Sequence, residues 1–380
     1  MTARHRAQNP APIQVFGSQL DREELAEVSD CISRQWIGMG PKTAALETSL
    51  AAHLGVDDVV LLNSGSSSLQ MAVHLLGIPP GTGAEIILPS FTWVACASAI
   101  VLAGHRPVFC DVDPASMNLD PQSVAAAVGP RTAAIMVVHY AGLPAPMQPL
   151  LDFGLPVLED AAHAIDSRIG ERACGTLSEL GIFSFDSIKN LAMGEGGAVV
   201  ARDPERARLA RDLRLCGVPS TGYAAARQSE RWWEQEILAA FPKMTPSDLC
   251  AAVGLVQLRK LPQHQERRAA IWDYYQQEFA DLDWLVRPLD ASPGDRHSHF
   301  TYCVRVTNGR RDALAHALLE RGIYTTLRFH PLHLNPVYGH QVSLPVTERL
   351  AGEALNLPLH PRLSDSDVNR VVDNVRRYGR

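Results

Sequence analysis

Three short stretches of the 380-residue sequence carry side chains whose types and spacing could do chemistry together. The first, Ser64-Gly65-Ser66-Ser67-Ser68, follows an apolar run and opens a helical pattern. Unpaired N–H groups and the helix dipole at such a start favour an anion, and the hydroxyls add donors for phosphate oxygens. The second, Leu158-Glu159-Asp160-Ala161-Ala162-His163, puts acids just past a short apolar strand. That is the carboxyl edge, where α/β sheets build their sites. Asp160 could keep a ring nitrogen protonated there, and His163 could hydrogen-bond a neighbouring oxygen. The third runs Phe183-Ser184-Phe185-Asp186-Ser187-Ile188-Lys189-Asn190 and leads to Gly194-Glu195-Gly196-Gly197. Desolvation near the same edge would lower the pKa of Lys189, as a Schiff-base lysine requires. Taken singly, each stretch reads at least as well as something plainer. These are a Ser-rich N-cap, an Asp cap beside a satisfied core histidine, and a surface lysine ahead of a tight turn. Together they supply a phosphate cradle, a carboxylate for a pyridinium nitrogen and an amine for an imine, the needs of a pyridoxal 5'-phosphate (PLP) site.

Other function classes fit less well. The serine stretch is neither a Walker A loop nor a GxGxxG fingerprint, so ordinary nucleotide binding is unsupported. Formal net charge is −6, from 35 Lys+Arg and 41 Asp+Glu, which argues against a nucleic-acid partner. Arg202, Arg206, Arg208, Arg211 and Arg214 gather locally, but Asp203, Glu205 and Asp212 interleave with them as on a charge-paired helix face. The seven cysteines (31, 96, 110, 174, 216, 250, 303) form no CxxC pair and show no metal-type spacing. No metal is expected, and reduced thiols in a cytoplasm are. Met1–Pro12 lacks the apolar segment of a signal peptide, and no apolar stretch approaches the ~20 residues needed to cross a bilayer. A soluble, cytoplasmic protein without a membrane partner is the expectation.

The elements that must position these residues follow from periodicity. Helical patterns cover Glu23–Arg34 and Thr43–Leu54, the second closed by Gly55. Strands at Val59–Leu62, Glu85–Leu88, Pro107–Asp111 and Ala133–Val138 alternate with helices at Ser66–Leu76, Val94–Leu102 and Pro121–Val128, the last capped by Asp120. Pro156–Leu158, Ile182–Phe185 and Ala198–Ala201 continue the strand set. This alternation indicates an α/β sandwich around a mostly parallel sheet. From Asp248 the character changes to two long helices, Asp248–Lys260 and Gln263–Phe279, then the loop-like Asp290–His299. A strand at Thr301–Val306 and helices at Asp312–Arg321 and Asp365–Arg377 complete a smaller α+β unit. The expected division is residues 1–247 and residues 248–380.

The run FSFDSIKNLAMGEGG resembles the FSF-x-x-x-K…GEGG signature of the DegT/DnrJ/EryC1/StrS aminotransferases, fold-type I PLP enzymes acting mainly on keto sugars. The resemblance extends over nearly the whole chain. It includes QWIGMGPKTAALE, NSGSSSLQMAVHLLGI, EIILPSFTWVACASAI, PVFCDVDPASMNLD, TAAIMVVHYAG, VLEDAAHA, AAVGLVQLRKL, GIYTTLRFHPLH and LNLPLHP. It implies that Lys189 carries the cofactor and shuttles the substrate proton, and that Asp160 pairs with the pyridine nitrogen. His163 is implied near the ring's phenolic oxygen and Trp93 stacked on the ring face. Ser66, Ser67 and Ser184 are implied at the phosphate. A homodimer with active sites at its interface and a pyridoxamine phosphate (PMP) form during turnover follow from the same resemblance.

The chain departs from the family pattern in three places. Phe241-Pro242-Lys243-Met244 replaces an Asn-Tyr-Arg-Met whose Asn reaches the phosphate across the interface; Lys243 could substitute as a point charge. The stretch from Met147 to Glu159 is several residues short, which implies a trimmed helix. Asp166 stands where a small Gly is common, which would alter the substrate side. Arg328, His330 and His333 fall in the segment bordering the substrate; they would suit a nucleotide diphosphate or sugar hydroxyls, or they form a His-rich surface loop. Gln35–Gly38 could line the mouth. The function expected is transamination of a keto sugar, nucleotide-linked, with Glu or Gln as donor. The alternatives are a PLP/PMP-dependent deoxysugar-modifying enzyme, in which a His would replace Lys189, and a non-catalytic PLP-binding regulator.

Overall fold

The structure is a computed structural model that describes residues 11–219, 231, 233–234, 236–307, 309–339 and 342–379. Its first part runs α1 (Arg22–Ser33), α2 (Pro41–Leu54), β1 (Val60–Leu62), α3 (Gly65–Leu75), β2 (Glu85–Pro89), α4 (Val94–Leu102) and β3 (Arg106–Cys110). It continues through α5 (Pro121–Ala127), β4 (Thr132–Val138), α6 (Met147–Leu151) and β5 (Val157–Asp160). The two-stranded hairpin β6 (Arg168–Ile169) and β7 (Arg172–Ala173) leads to β8 (Leu180–Ser184), β9 (Gly197–Ala201) and α7 (Pro204–Leu213). A seven-stranded sheet, in the order β1-β9-β8-β5-β4-β2-β3, is formed among the described residues. β3, β2, β4, β5 and β8 run parallel, while β9 is antiparallel to both β8 and β1.

The strands read as continuous apolar runs because both faces are covered. One face packs Leu61, Ile135 and Phe183 beneath Leu46 of α2; the other packs Leu62, Ile86 and Met136 beneath Ile100 of α4. The expected punctuation holds locally. Gly55 closes α2 in the left-handed region, and the Asp120 side chain caps α5 by accepting the Gln122 amide. The shortened stretch before β5 does contain only a five-residue helix, α6.

The second part comprises α8 (Asp248–Glu278), β10 (Leu285–Val286), β11 (Tyr302–Val306), α9 (Arg311–Glu320), α10 (Pro345–Glu353), β12 (Ala354–Leu357) and α11 (Asp365–Tyr378). Its small antiparallel sheet, β10-β11-β12, shares a core with Ile271, Trp272 and Tyr275 of α8 and with Val371 and Val375 of α11. The expected break between two long helices is absent: α8 is one helix of 31 residues that passes through Pro262. An interior proline removes one backbone bond and costs about 3 kcal/mol. Packing on both sides of it overrides that cost. Ala251 and Leu261 lie in the core of the first part, and Ile271 and Tyr275 in that of the second. The two parts interlock elsewhere as well. The Asp248 carboxylate accepts the amides of Gly40, Lys42 and Thr43, capping α2, whose own cap residue Gly40 has no side chain to do so. Ile13 bridges to Ile323 and joins the C-terminal core.

Candidate active site

The carboxyl ends of β1, β5 and β8 and the loops that leave them surround a cavity of about 210 Å³. Asp160 is the last residue of β5 and is buried. Its Oδ1 accepts the Ala162 amide at 2.9 Å and its Oδ2 accepts the Cys96 thiol at 3.1 Å. One residue past that amide, the His163 ring lies flat on Phe300, 4.0 Å between centroids at 12°, and its Nδ1 has no hydrogen-bond partner. Burial, followed by the charges of Lys189 and Arg328, holds His163 well below the usual histidine range, so the ring is neutral.

Lys189 follows β8 by five residues, and the Asp186 carbonyl accepts its backbone amide. Its Nζ sits 4.8 Å from the Phe300 ring centroid and has no hydrogen bond or ion pair among the described residues. Burial first, and the Arg328 charge second, lower its pKa to about 8, against the opposing pull of Asp160 and Asp186. An amine of that basicity is still mostly protonated at neutral pH, but its free-base fraction is far larger than an ordinary lysine's, and that fraction can act as a nucleophile.

At the other end of the cavity, Ser64 caps α3 by accepting the Ser67 amide at 3.0 Å. The first-turn amides of Gly65 and Ser66 are left without intrahelical partners, as at any helix start. Gly65 approaches Ser184 so closely that a Cβ on it would lie 2.6 Å from the serine Cβ. The close approach brings the Ser184 hydroxyl against the helix start, and both Ser66 and Ser184 line the cavity. Ser67 is turned away; its hydroxyl donates to Asn63 Oδ1 at 2.7 Å, so it braces the turn. Trp93, the N-cap of α4, stands at the mouth, 54% exposed, with its ring 6.0 Å from that of Phe329.

Of the three candidates on the substrate side, the structure brings only Arg328 to the cavity. Its guanidinium lies 4.4 Å from the Phe16 ring centroid, with no carboxylate partner among the described residues and an unpartnered Nε. His330 is exposed and lies off the cavity wall. His333 is buried and tied elsewhere: Nδ1 takes the Ser90 hydroxyl at 2.6 Å and Nε2 faces Glu348 at 3.3 Å. Asp166 pairs with Arg296 at 3.2 Å away from the cavity. Lys243 and the exposed Trp36 and Ile37 are likewise not among the lining residues. Phe241 packs edge-on against His74.

Sequence reasoning passed over Asp186, Glu195, Phe329 and Cys96. The first three line the cavity and are immediate neighbours of residues already singled out. Cys96 was visible three residues after Trp93, on the same first turn of α4.

A weakly basic lysine, a buried carboxylate, an orphaned histidine nitrogen and an anion-binding helix start together match the polar groups of PLP. They define a PLP-dependent transferase of fold type I. The chain belongs to the DegT/DnrJ/EryC1/StrS aminotransferase family, whose sequence profile matches residues 18–376. It is 40% identical over 365 residues to the dTDP-4-dehydro-2,3,6-trideoxy-D-glucose 4-aminotransferase of Saccharopolyspora spinosa, covering 94% of each chain. The aminotransferase TlmJ of Streptoalloteichus hindustanus superposes with a TM-score of 0.91 at 42% identity, over 97% of this chain and 99% of the other. Spr1654 of Streptococcus pneumoniae in its PMP form superposes with a TM-score of 0.90 at 25% identity, over 97% and 99%. The protein is a PLP-dependent aminotransferase. Among the described residues, no helix is long and apolar enough to cross a membrane.

Proposed function

We propose that the enzyme converts a keto sugar, linked to a nucleotide, into an amino sugar, with glutamate or glutamine as amino donor. The observation that carries this reading is Lys189, lowered to about 8, sharing one cavity with the buried carboxylate of Asp160. The sugar class comes from the Saccharopolyspora relative, whose name specifies a dTDP-linked dehydro sugar.

PLP, when bound, supplies an electron sink that makes the donor's Cα–H acidic. Lys189 Nζ would be the nucleophile that holds the cofactor, and as general base and then general acid it would take that proton and return it. Asp160 would keep the ring nitrogen protonated. His163, with its unpartnered Nδ1, would stand at the phenolic oxygen. The amides of Gly65 and Ser66 and the hydroxyls of Ser66 and Ser184 would hold the phosphate, and Ser67 fixes their turn. Trp93 would cover the ring face and exclude water. Arg328 is the cation of the substrate side. Its closeness to Lys189, whose basicity it lowers, suits the carboxylate of the donor or the diphosphate of the acceptor. His330 stands outside that contact, and His333 is tied to Ser90 and Glu348 rather than free for the substrate.

The working form is a homodimer. Helix α4 is almost wholly apolar: Ala95, Cys96, Ala99 and Ile100 are buried, while Val94, Val101 and Leu102 are exposed on the opposite face, with the half-buried Ser98 among them. A second copy covering that face would bury the stripe and narrow the mouth of the site. The buried free thiols of Cys31, Cys96, Cys110, Cys174 and Cys303 suit a reducing cytoplasm.

Absorbance spectra of the PLP-loaded protein, wild type beside Lys189→Ala, test the reading. A visible band that needs Lys189, and that glutamate or glutamine converts to the PMP spectrum, is the expected result. A band that no amino donor changes would remove the transamination reading, and a band unaffected by Lys189→Ala would remove the lysine assignment.

A further inference from the structure

Among the described residues the Asp160 carboxylate meets two donors, and one of them is a thiol. The Cys96 sulfur donates to Oδ2 at 3.1 Å, and Thr92 Oγ1 lies 3.4 Å from the same sulfur. Cys96 is fully buried on the first turn of α4, the turn that also carries Trp93. Other buried thiols do something different: Cys31 and Cys110 meet backbone carbonyls, and Cys303 lies against Met117 and Tyr140. Cys96 alone, among the described hydrogen bonds, gives its proton to a carboxylate.

We propose that Cys96 is a positioning residue for transamination, fixing the Asp160 carboxylate so that its remaining lone pairs face the ring nitrogen of PLP. The proposal rests on the reading of Asp160 as the partner of that nitrogen. A carboxylate offers about four lone-pair sites. With Ala162 on one oxygen and Cys96 on the other, the group cannot rotate without breaking a bond to a buried donor. The choice of sulfur also matters. A thiol is a weak donor, so it orients the carboxylate while drawing off less of its charge than a hydroxyl would. The charge stays available for the pyridinium. Burial, reinforced by the adjacent Asp160, pushes the thiol far above its ordinary range, so the sulfur keeps the proton it donates. Trp93 and Cys96 thereby set two coordinates of the cofactor, the height of the ring face and the line of the ring nitrogen, from one helical turn.

The test compares Cys96→Thr with Cys96→Val, which add the same bulk and differ only in a hydroxyl against a methyl. The readouts are the PLP dissociation constant, the visible spectrum of the loaded protein, and kcat and KM separately. Cys96→Thr is expected to stay within about threefold of wild type, and Cys96→Val to bind PLP about tenfold more weakly, the scale of one hydrogen bond to a charged group. The drop should fall on kcat more than on the donor KM. In an Asp160→Ala background the difference between Thr and Val should vanish. Equal affinities and spectra for the two variants, or tighter binding by Val, would overturn the proposal and leave Cys96 a packing residue. If the added bulk unfolds both, Cys96→Ser against Cys96→Ala makes the same comparison, with Ser expected to bind more tightly. A wild type lacking any Lys189-dependent band would instead overturn the reading of the site, and this proposal with it.

Discussion

Glu159 and Asp160 are consecutive, both buried, and together end β5, yet the structure treats them in opposite ways. Strand alternation sends them to opposite faces of the sheet. Glu159 is saturated: Oε1 accepts the Ser178 amide and hydroxyl at 2.7 and 2.9 Å, and Oε2 accepts the Gly175 amide at 2.7 Å and His139 Nε2 at 3.0 Å. The Ala145 amide, 3.0 Å from His139 Nδ1, puts the ring proton on the side of Glu159. Burial works to raise the Glu159 pKa, but His139 and the amides hold it below the usual range. Asp160 meets two donors among the described residues and opens on a cavity. A buried carboxylate with every lone pair used is a fastener, whereas one with acceptor capacity to spare waits for a ligand.

The largest effects should separate the two. Asp160→Ala is expected to slow the half-reaction with glutamate by about 10³-fold, within the range of acid–base and electrostatic contributions, while lowering the urea midpoint of the apo-protein less than Glu159→Ala does, since one amide and one weak thiol donor lose their acceptor. Glu159→Ala should do the reverse. Leaving His139 and three donors unpaired should cost about 3 kcal/mol or more of stability, with PLP binding retained by the folded fraction. Equal losses of stability in both variants would break the distinction.

A middle-sized effect concerns Lys189. In the unfolded chain this lysine holds its proton up to about pH 10.5, but in the fold only to about 8. The unfolded state therefore binds more protons across that interval, and stability rises with pH through it. Urea titrations of the apo-protein at pH 7 and pH 10 should show wild type gaining on Lys189→Met between the two, with Lys189→Met the more stable at pH 7. A difference independent of pH would mean that the lysine is not desolvated. The smallest effects lie on the substrate wall. Arg328→Ala should raise the donor or acceptor KM about tenfold, the loss of one charge-assisted hydrogen bond, and His330→Ala should stay within about twofold.

How far the sequence could be read follows the same line. Positions set by strand ends and helix starts were legible. Asp160 closes an apolar run, Ser64 opens a helical period, and Lys189 sits between an aromatic strand and a glycine turn. The sheet, the smaller unit and the cofactor class came out of those patterns and the motifs around them. What depends on which way a side chain turns inside a loop was not legible. Ser67 and Ser66 are adjacent hydroxyls of one turn, yet one braces it and the other lines the cavity. Arg328, His330 and His333 share one segment with three fates: cavity, solvent and a bridge between Ser90 and Glu348. The break expected between Lys260 and Gln263, where Pro262 lies, failed for a related reason. A proline argues locally, and α8 is held by contacts far from it in sequence.

That uninterrupted helix has a consequence for how such a chain can be assembled and altered. At 1.5 Å per residue, α8 is a rod of roughly 46 Å with one end in each core. At Gly254 it lies so close to α2 that a Cβ would fall 2.6 Å from Leu46, and its first residue, Asp248, caps the same α2. Cutting the chain after residue 247 would uncap that helix and strip a wall from the sheet that holds the lysine. A recombinant joined at that point from two relatives would therefore have to bring matching halves of the α2–α8 contact with it.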